Sequence, residues 1–296
     1  GFRIHAYDRF TGNRLWTHEV EEISRGRRAS REISHDCNAI AIRDRTLITY
    51  SGHAQTEHRT RRALVLGLDT EDGGRRWAVS LNGLEGVEEH EGLFPIGAPR
   101  IVDDTVIVLA RKVTQQLLTS TYVLGLDRFD GTLLWSTYVC SSGGMRQSVR
   151  PLESPVIHDG HVYVATAVGG TARLDPARGT ITWLHRFDPP VSFVQRSSEI
   201  RPWRFTTPAA TDRGLFAITP DFLSVVLLDH ATGDRIATFP ATEGEAWSAP
   251  QYLIGSSRYV YAIGDDVRAF DVTSPRELLW QYPPEPARGR SDAEGG

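Results

Sequence analysis

The stretch GLDRFDGTLLW at residues 125–135 decides the fold, because the same pattern recurs along the chain. It joins an apolar segment that ends at Asp127 to a turn glycine, Gly131, and to a second apolar segment that carries Trp135. An aspartate carboxylate can accept hydrogen bonds from backbone N–H groups two residues on, and glycine tolerates a positive φ. The stretch therefore predicts a hairpin in which one strand ends at the aspartate and the next carries the tryptophan.

Five further copies keep this spacing or a close variant of it. The copy at 227–237 has Ala237 in place of tryptophan, and the copy at 269–280 has one extra residue and no glycine. We expect the aspartates to cap turns and the tryptophans to pack between neighbouring units. The repeat residues with this predicted structural role are Asp8, Trp16, Asp69, Trp77, Asp127, Trp135, Asp175, Trp183, Asp229, Asp271 and Trp280.

A second element precedes five of the copies and reads as a small residue, proline, an apolar run, a polar turn and another apolar run. SPVIHDGHVYVAT at 154–166 is one example, and the copy that begins at Asn38 lacks the proline. The two elements together predict four short antiparallel strands per unit. Repeated four-stranded units with almost no helical periodicity predict an all-β protein whose units are the blades of a β-propeller.

The predicted domain is a propeller at residues 1–282, with about five and a half blades. We expect the chain to be a fragment of a larger propeller. The tail at 283–296 is rich in proline, glycine and charge, which predicts a disordered end or linker. The predicted units are a partial first blade at 1–20 and complete blades at about 37–80, 97–139, 153–187, 206–240 and 248–282.

Through these six copies the chain resembles the PQQ-like, quinoprotein-type β-propeller repeat family, whose blades carry the pattern A-x-D-x-x-T-G-x-x-x-W. The family includes quinoprotein alcohol dehydrogenases and BamB-like members that act as scaffolds without catalysis. The resemblance implies a WD40-like architecture and a location in the periplasm or cell envelope of a bacterium. The sequence begins at Gly1 and not at methionine, so we expect a truncated N-terminus and no targeting signal within it.

Composition excludes several functional classes. The 296 residues are 40% hydrophobic with a net charge of −4, which is typical of a globular protein and argues against nucleic-acid binding. No window approaches the roughly 18 uninterrupted apolar residues of a membrane helix. Cys37 and Cys140 belong to no metal-binding pattern, so we predict no metal site and leave their pairing open.

Long polar connections on one face predict a binding surface, because loops on a rigid frame commonly carry binding residues. An anionic ligand could bind in a pocket formed by Arg146, Arg150, Arg196, Arg201 and Trp203. The alternative is a solvated rim with internal ion pairs. His158 and His161 flank a turn with no third ligand nearby in the sequence, so we interpret them as part of an ordinary surface turn.

Motifs of serine hydrolases, zinc proteases, P-loop proteins and dinucleotide-binding proteins are absent from the sequence. We therefore predict a non-catalytic scaffold or binding module that needs no cofactor and binds a protein partner or a small anionic ligand. One alternative is a PQQ-dependent dehydrogenase. The resemblance implies that such an enzyme would need adjacent cysteines, a calcium site and an aspartate base. The other alternative is a ligand-sensing ectodomain.

Overall fold

The structure is a computed structural model. It describes residues 2–20, 40–51, 64–84, 91–113, 118–142, 153–166, 169–187, 207–219, 224–239, 250, 252–264, 266–274 and 278–283.

The described residues form β-strands joined by turns. The strands in the first half of the chain are β1 (Phe2–Tyr7), β2 (Arg14–Val20), β3 (Ala41–Arg43), β4 (Thr46–Ser51), β5 (Leu64–Asp69), β6 (Arg75–Ser80), β7 (Phe94–Val102), β8 (Thr105–Val113), β9 (Thr119–Asp127) and β10 (Leu133–Ser142). Those in the second half are β11 (Val156–His158), β12 (His161–Ala165), β13 (Gly170–Leu174), β14 (Ile181–Arg186), β15 (Ala209–Thr211), β16 (Gly214–Ile218), β17 (Val225–Leu228), β18 (Arg235–Phe239), β19 (Tyr252–Gly255), β20 (Tyr259–Ile263), β21 (Val267–Asp271) and β22 (Leu278–Tyr282).

Consecutive strands pair antiparallel and make six separate sheets. Sheet 1 contains β1 and β2, sheet 2 contains β3–β6, sheet 3 contains β7–β10, and sheet 4 contains β11–β14. Sheet 5 contains β15–β18 and sheet 6 contains β19–β22. The predicted fold class, an all-β protein of four-stranded antiparallel units, is confirmed.

The sheets stack with their first strands side by side. In the order β3, β7, β11, β15 and β19, each first strand contacts the next one. This order places the first strands innermost and the fourth strands outermost, as in propeller blades. Each pair of neighbouring sheets encloses a hydrophobic core of its own. We call each of these packed boundaries a seam.

The inner strands are apolar on both faces because a seam lies on either side of them. In β8 the side chains of Val106, Ile107, Val108, Leu109 and Ala110 are all fully buried. Val106 and Val108 pack toward sheet 2, whereas Ile107 and Leu109 pack toward sheet 4. A continuous apolar run is therefore what a strand between two seams requires.

The two ends of the stacked sheets differ in the length of their connections. At one end, called the tight-turn end, two-residue turns at 44–45, 103–104, 159–160 and 212–213 join the first strand of a sheet to the second. At the opposite end, called the long-connection end, consecutive sheets are joined by many more residues. The clearest cases are 143–155 and 187–208. Within the described ranges, no helix has the length and apolar character needed to cross a membrane.

Candidate functional site

The six repeat aspartates lie at the tight-turn end and hold its turns. Each carboxylate accepts the backbone N–H two residues on, with the donors being Phe10, Glu71, Phe129, Ala177, Ala231 and Thr273. The pKa of Asp8 lies below its usual value, chiefly because of the backbone N–H of Thr11. The backbone N–H groups of Glu71 and Thr232 are the largest causes of the lowered pKa of Asp69 and Asp229 respectively. These carboxylates therefore act as hydrogen-bond acceptors for the backbone of the turns.

Four of the repeat tryptophans dock on the sheet that follows their own. The indole N–H of Trp77 donates to the carbonyl of Arg128 at 3.0 Å. Its ring covers the turn glycine of the next repeat, since a Cβ on Gly131 would lie 2.6 Å from the ring. The equivalent pairs in the neighbouring seams are Trp16 with Gly73, Trp135 with Gly179, and Trp183 with Gly233. The tryptophan of one copy thus fits the glycine of the next.

The last copies depart from this docking. Sheet 5 has Ala237 at the tryptophan position, so it has no indole ring there. The copy in sheet 6 has no turn glycine on which such a ring could pack. Trp280 of sheet 6 is 47% exposed and meets no turn glycine among the described residues. Repeat position alone therefore does not decide whether a tryptophan is buried.

An arginine clamp joins sheets 2 and 3 at the tight-turn end. The Arg128 side chain, only 8% exposed, donates to Asp44 of sheet 2 at 3.0 Å and to Asp104 of sheet 3 at 2.8 Å. The hydrogen bond to Asp104 is the largest cause of the raised pKa of Arg128. A charge that is paired on both sides of a seam fixes the two sheets relative to each other.

A buried ion pair joins sheets 3 and 4 at the long-connection end. Arg111 Nη2 lies 3.1 Å from Oε1 of Glu153, whose side chain is fully buried. Beside it the backbone N–H of Ala98 donates to Ser154 Oγ at 2.8 Å. A buried charge is costly without its partner, so breaking this ion pair would be unfavourable. These contacts therefore hold sheets 3 and 4 together at the end where the long connections begin.

Cys140 lies near the same end, half-buried. Its Sγ is 3.2 Å from Thr166 Oγ1, and burial is the largest cause of its raised pKa. A raised pKa keeps the thiol protonated, which disfavours a nucleophilic role. Cys37 lies outside the described residues, so the pairing of the two cysteines stays open.

The predicted arginine pocket also lies outside the described residues, and it stays a prediction. Arg146 and Arg150 belong to the connection between β10 and β11. Arg196, Arg201 and Trp203 belong to the connection between β14 and β15. Both connections leave the long-connection end, one before sheet 4 and one after it. The predicted tail at 283–296 is described only at Pro283.

The structure brings together a group that the sequence interpretation missed. His158 and His161 were expected in an ordinary surface turn. The His158 ring, however, stacks on the ring of His230 in sheet 5, with the two ring centroids 5.0 Å apart. His230 follows the repeat Asp229, where Arg128 follows Asp127, so alignment of the copies was the signal that could have found it.

The described residues do not fit a quinone site of the kind that the resemblance implies. Among them, no three histidine, cysteine, aspartate or glutamate side chains are placed to hold a metal ion. The repeat carboxylates hold turns, and the sequence has no adjacent cysteines. The observed groups join neighbouring sheets and hold the ends of the connections between them.

Comparison with known proteins agrees with the architecture. A family model described as outer membrane protein assembly factor BamB matches residues 1–190. Among solved structures, the chain is similar to BamB from Moraxella catarrhalis, with 14% identity over 94% of this chain and 70% of that chain and a TM-score of 0.59. None of the curated proteins matches the sequence.

The chain is also similar to the quinohemoprotein alcohol dehydrogenase of Comamonas testosteroni. The identity is 15%, the alignment covers 80% of this chain and 40% of that one, and the TM-score is 0.50. At such low identities, structural similarity shows only that the chain has the same fold, a β-propeller. It does not show that the chain has the activity of either protein.

Proposed function

The chain belongs to the family described as outer membrane protein assembly factor BamB, and on this premise we propose that it is a non-catalytic propeller scaffold of a bacterial cell envelope. In this proposal the sheets form a rigid frame, and a protein partner binds at the long-connection end. The family membership supports the scaffold role, and the assignment of the family to outer membrane protein assembly supports the envelope location.

The difference between the two ends of the sheets carries the proposal. At the tight-turn end, the strands are joined by short turns whose backbone N–H groups donate to the repeat aspartates. At the long-connection end, residues 143–155 and 187–208 provide polar chain beyond what is needed to join two strands. Long connections on a packed frame are where binding residues are commonly found.

The charge of these connections suggests the chemistry of the partner. Arg146 and Arg150 belong to the connection that precedes sheet 4, and Arg196 and Arg201 belong to the connection that follows it. Arginine binds carboxylates in a bidentate manner, and Trp203 offers a ring for stacking. We propose that the partner surface is acidic and that the contact lies over sheet 4.

Site-specific photo-crosslinking in the cells that encode the protein tests the binding end. A photoreactive residue would replace Arg196 or Arg201 at the long-connection end and, as matched controls, Arg45 or Arg213 in two tight turns. We expect one discrete crosslinked protein from the first pair and none from the second. Equal crosslinking from both ends, or none from either, would overturn the proposed binding end, and fractionation of the cells checks the compartment.

The proposal also states that the chain works without PQQ. Titration of the purified protein with PQQ and Ca²⁺ should give no saturable change in quinone absorbance and no dye-linked oxidation of alcohols. Saturable binding with turnover would instead support the dehydrogenase alternative, and it would show that residues outside the described ranges form the site.

A further inference from the structure

The outermost strand of sheet 3 is longer than the outermost strands of the other sheets. β10 has ten residues, whereas β2 has seven, β6 and β14 have six, and β18 and β22 have five. Beyond its tryptophan, β10 runs from Trp135 to Ser142, whereas β14 runs only from Trp183 to Arg186. The added length lies at the long-connection end, because β10 leads directly into the connection 143–155.

β10 also lacks the charges that most of the other outermost strands carry. Its sequence is LLWSTYVCSS, without a charged residue or a proline. β22 is uncharged too, but it is only half as long. Charged side chains and prolines on the edge of a sheet discourage another chain from pairing with it. β10 therefore has the longest uncharged outer edge among the described strands. The charged residues of the other outermost strands are Arg14 and Glu19 in β2, Arg75 and Arg76 in β6, Arg186 in β14 and Arg235 in β18.

The outer edge of β10 offers both backbone groups and apolar surface. One edge of the strand pairs with β9, and no strand in the described part of the chain pairs with the other. Leu134 and Tyr138 are each 50% exposed. Ser136 and Tyr138 lie on the side that faces sheet 2, since they pair with Leu124 and Tyr122, which pack in that core. An added strand thus pairs its backbone with β10 and covers the Tyr138 ring.

Contacts on both sides hold the end of β10 in place. Oγ of Ser141 lies 2.7 Å from Oγ of Ser120 in β9, and it also lies 2.7 Å from the hydroxyl oxygen of Tyr138. On the opposite side, Thr137 Oγ1 donates to the carbonyl of Gly179 in sheet 4 at 2.6 Å. A strand that is already ordered loses little conformational freedom when another strand pairs with it, which favours binding.

A β-bulge gives this edge a specific shape. Tyr138 pairs with Tyr122 and Cys140 pairs with Thr121, so Val139 is the extra residue of β10. Its side chain is only 4% exposed and packs toward sheet 4. A bulge bends a strand and interrupts regular pairing, which protects an edge from unspecific association. A partner strand that pairs on both sides of Val139 has to follow this bend, and the pairing is therefore selective.

We propose that the outer edge of β10, from Trp135 to Ser142, pairs with an extended segment of the protein partner, which becomes a fifth strand of sheet 3. This inference rests on the proposed function, because it states how the partner is held at the long-connection end. Alternate side chains of the segment are apolar or aromatic and lie beside Tyr138. Acidic residues follow at the end of the segment that extends past Ser142, because Arg146 and Arg150 come next in this chain.

Photo-crosslinking in the cells that encode the protein, followed by mass spectrometry of the joined peptides, tests the strand pairing. The photoreactive residue replaces Ser136 or Tyr138 in β10 and, as a matched control, Leu184, which is 46% exposed in β14. We expect both β10 positions to capture one segment of one protein, at residues that are about two apart in its sequence. Leu184 should capture at least about fivefold less of it. Irregular spacing of the captured residues, or equal capture by Leu184, would overturn the pairing.

Proline variants test whether the backbone of β10 makes the contact. Successive N–H groups of an edge strand point to opposite sides, so Ser136→Pro and Thr137→Pro remove one outward N–H and one that pairs with β9. The variant that keeps its melting temperature within about 2 °C should lower capture at Tyr138 at least about fivefold. Ser136→Thr keeps the N–H and should leave capture unchanged.

Unchanged capture in a folded proline variant would contradict the pairing, and if neither variant folds, the spacing of the captured residues decides. The result is also separable from that of the proposed function. Crosslinks from Arg196 or Arg201 without any from Tyr138 would keep the binding end and overturn the strand pairing. Regularly spaced crosslinks from β10 with none from the two arginines would support the pairing and overturn the contact over sheet 4.

Discussion

The seam between sheets 2 and 3 and the seam between sheets 5 and 6 are built from the same repeat, but they are filled in different ways. In sheet 2, Trp77 pairs across the strands with Gly67 and covers Gly131 of sheet 3. In sheet 5 the equivalent cross-strand pair is Ala237 with Leu227. The larger side chain of the pair therefore lies on the third strand in sheet 5, whereas it lies on the fourth strand in sheet 2.

Three phenyl rings, together with aliphatic side chains, fill the core of the seam between sheets 5 and 6. Phe239 is 2% exposed, and its ring lies 5.8 Å from Phe270 of sheet 6 and 6.1 Å from Phe216 of sheet 5. Close packing can thus be reached by one large ring between two glycines or by several medium side chains. What the second solution lacks is the hydrogen bond from an indole to the next sheet's backbone, which fixes the position as well as the volume.

The largest expected effect is that of removing a docked tryptophan. Trp77→Ala should lower the free energy of unfolding by roughly 3–5 kcal/mol, because it leaves a cavity at the seam and an unpaired carbonyl at Arg128. Trp280→Ala is the matched control, since this repeat tryptophan is 47% exposed, and it should cost less than about 1 kcal/mol. Urea unfolding followed by circular dichroism measures both. Equal losses would show that docking on the next sheet is not what stabilises the seam.

The next effect concerns the glycine that receives the ring. Gly131→Ala should cost roughly 2–4 kcal/mol, because the new Cβ meets Trp77 and the residue has a φ of 78°. Gly12→Ala has a similar φ of 71°, but a Cβ there meets nothing within 4 Å. It should cost only about 1 kcal/mol, the conformational part alone. The difference between the two variants in thermal unfolding isolates the packing contribution, and a difference near zero would contradict it.

A third variant tests whether the fifth sheet can accept the repeat residue that it lacks. Ala237→Trp should destabilise by roughly 1–3 kcal/mol, because Leu227 already occupies the space across the strands. Leu227→Gly should reduce this loss when it is combined with Ala237→Trp, which would appear as strong non-additivity in a double-mutant cycle. A stabilising Ala237→Trp would instead show that the seam has unfilled volume and that the leucine does not replace the ring.

Much of the fold could be predicted from the sequence, because strand ends, turns and tryptophans recur at fixed spacing within a unit. The contacts between units could not, since spacing along the chain does not show which copy lies against Trp77 or that Gly131 receives it. The pairing of Leu227 with Ala237 could be predicted only from the register of the strands. The stacked His158–His230 pair could be predicted only from the order of the sheets. The predicted pocket at Arg196 and Arg201 depends on long connections, whose conformation no repeat spacing determines.

The smallest expected effect concerns the turns, in which the two seams are alike. Asp69 in sheet 2 and Asp229 in sheet 5 both have a lowered pKa, chiefly through backbone N–H groups, so each contributes stability that is present above about pH 4 and lost as the pH falls further. Asp69→Asn and Asp229→Asn should each flatten the loss of stability between pH 6 and pH 3 in urea titrations, with little change at pH 7, because asparagine also forms such turns. The flattening should be greater for Asp69, whose carboxylate also pairs with Arg76 at 2.6 Å. If Asp229→Asn had the larger effect, the ion pair would contribute less than the backbone hydrogen bonds, and the two turns would differ as much as the two seams do.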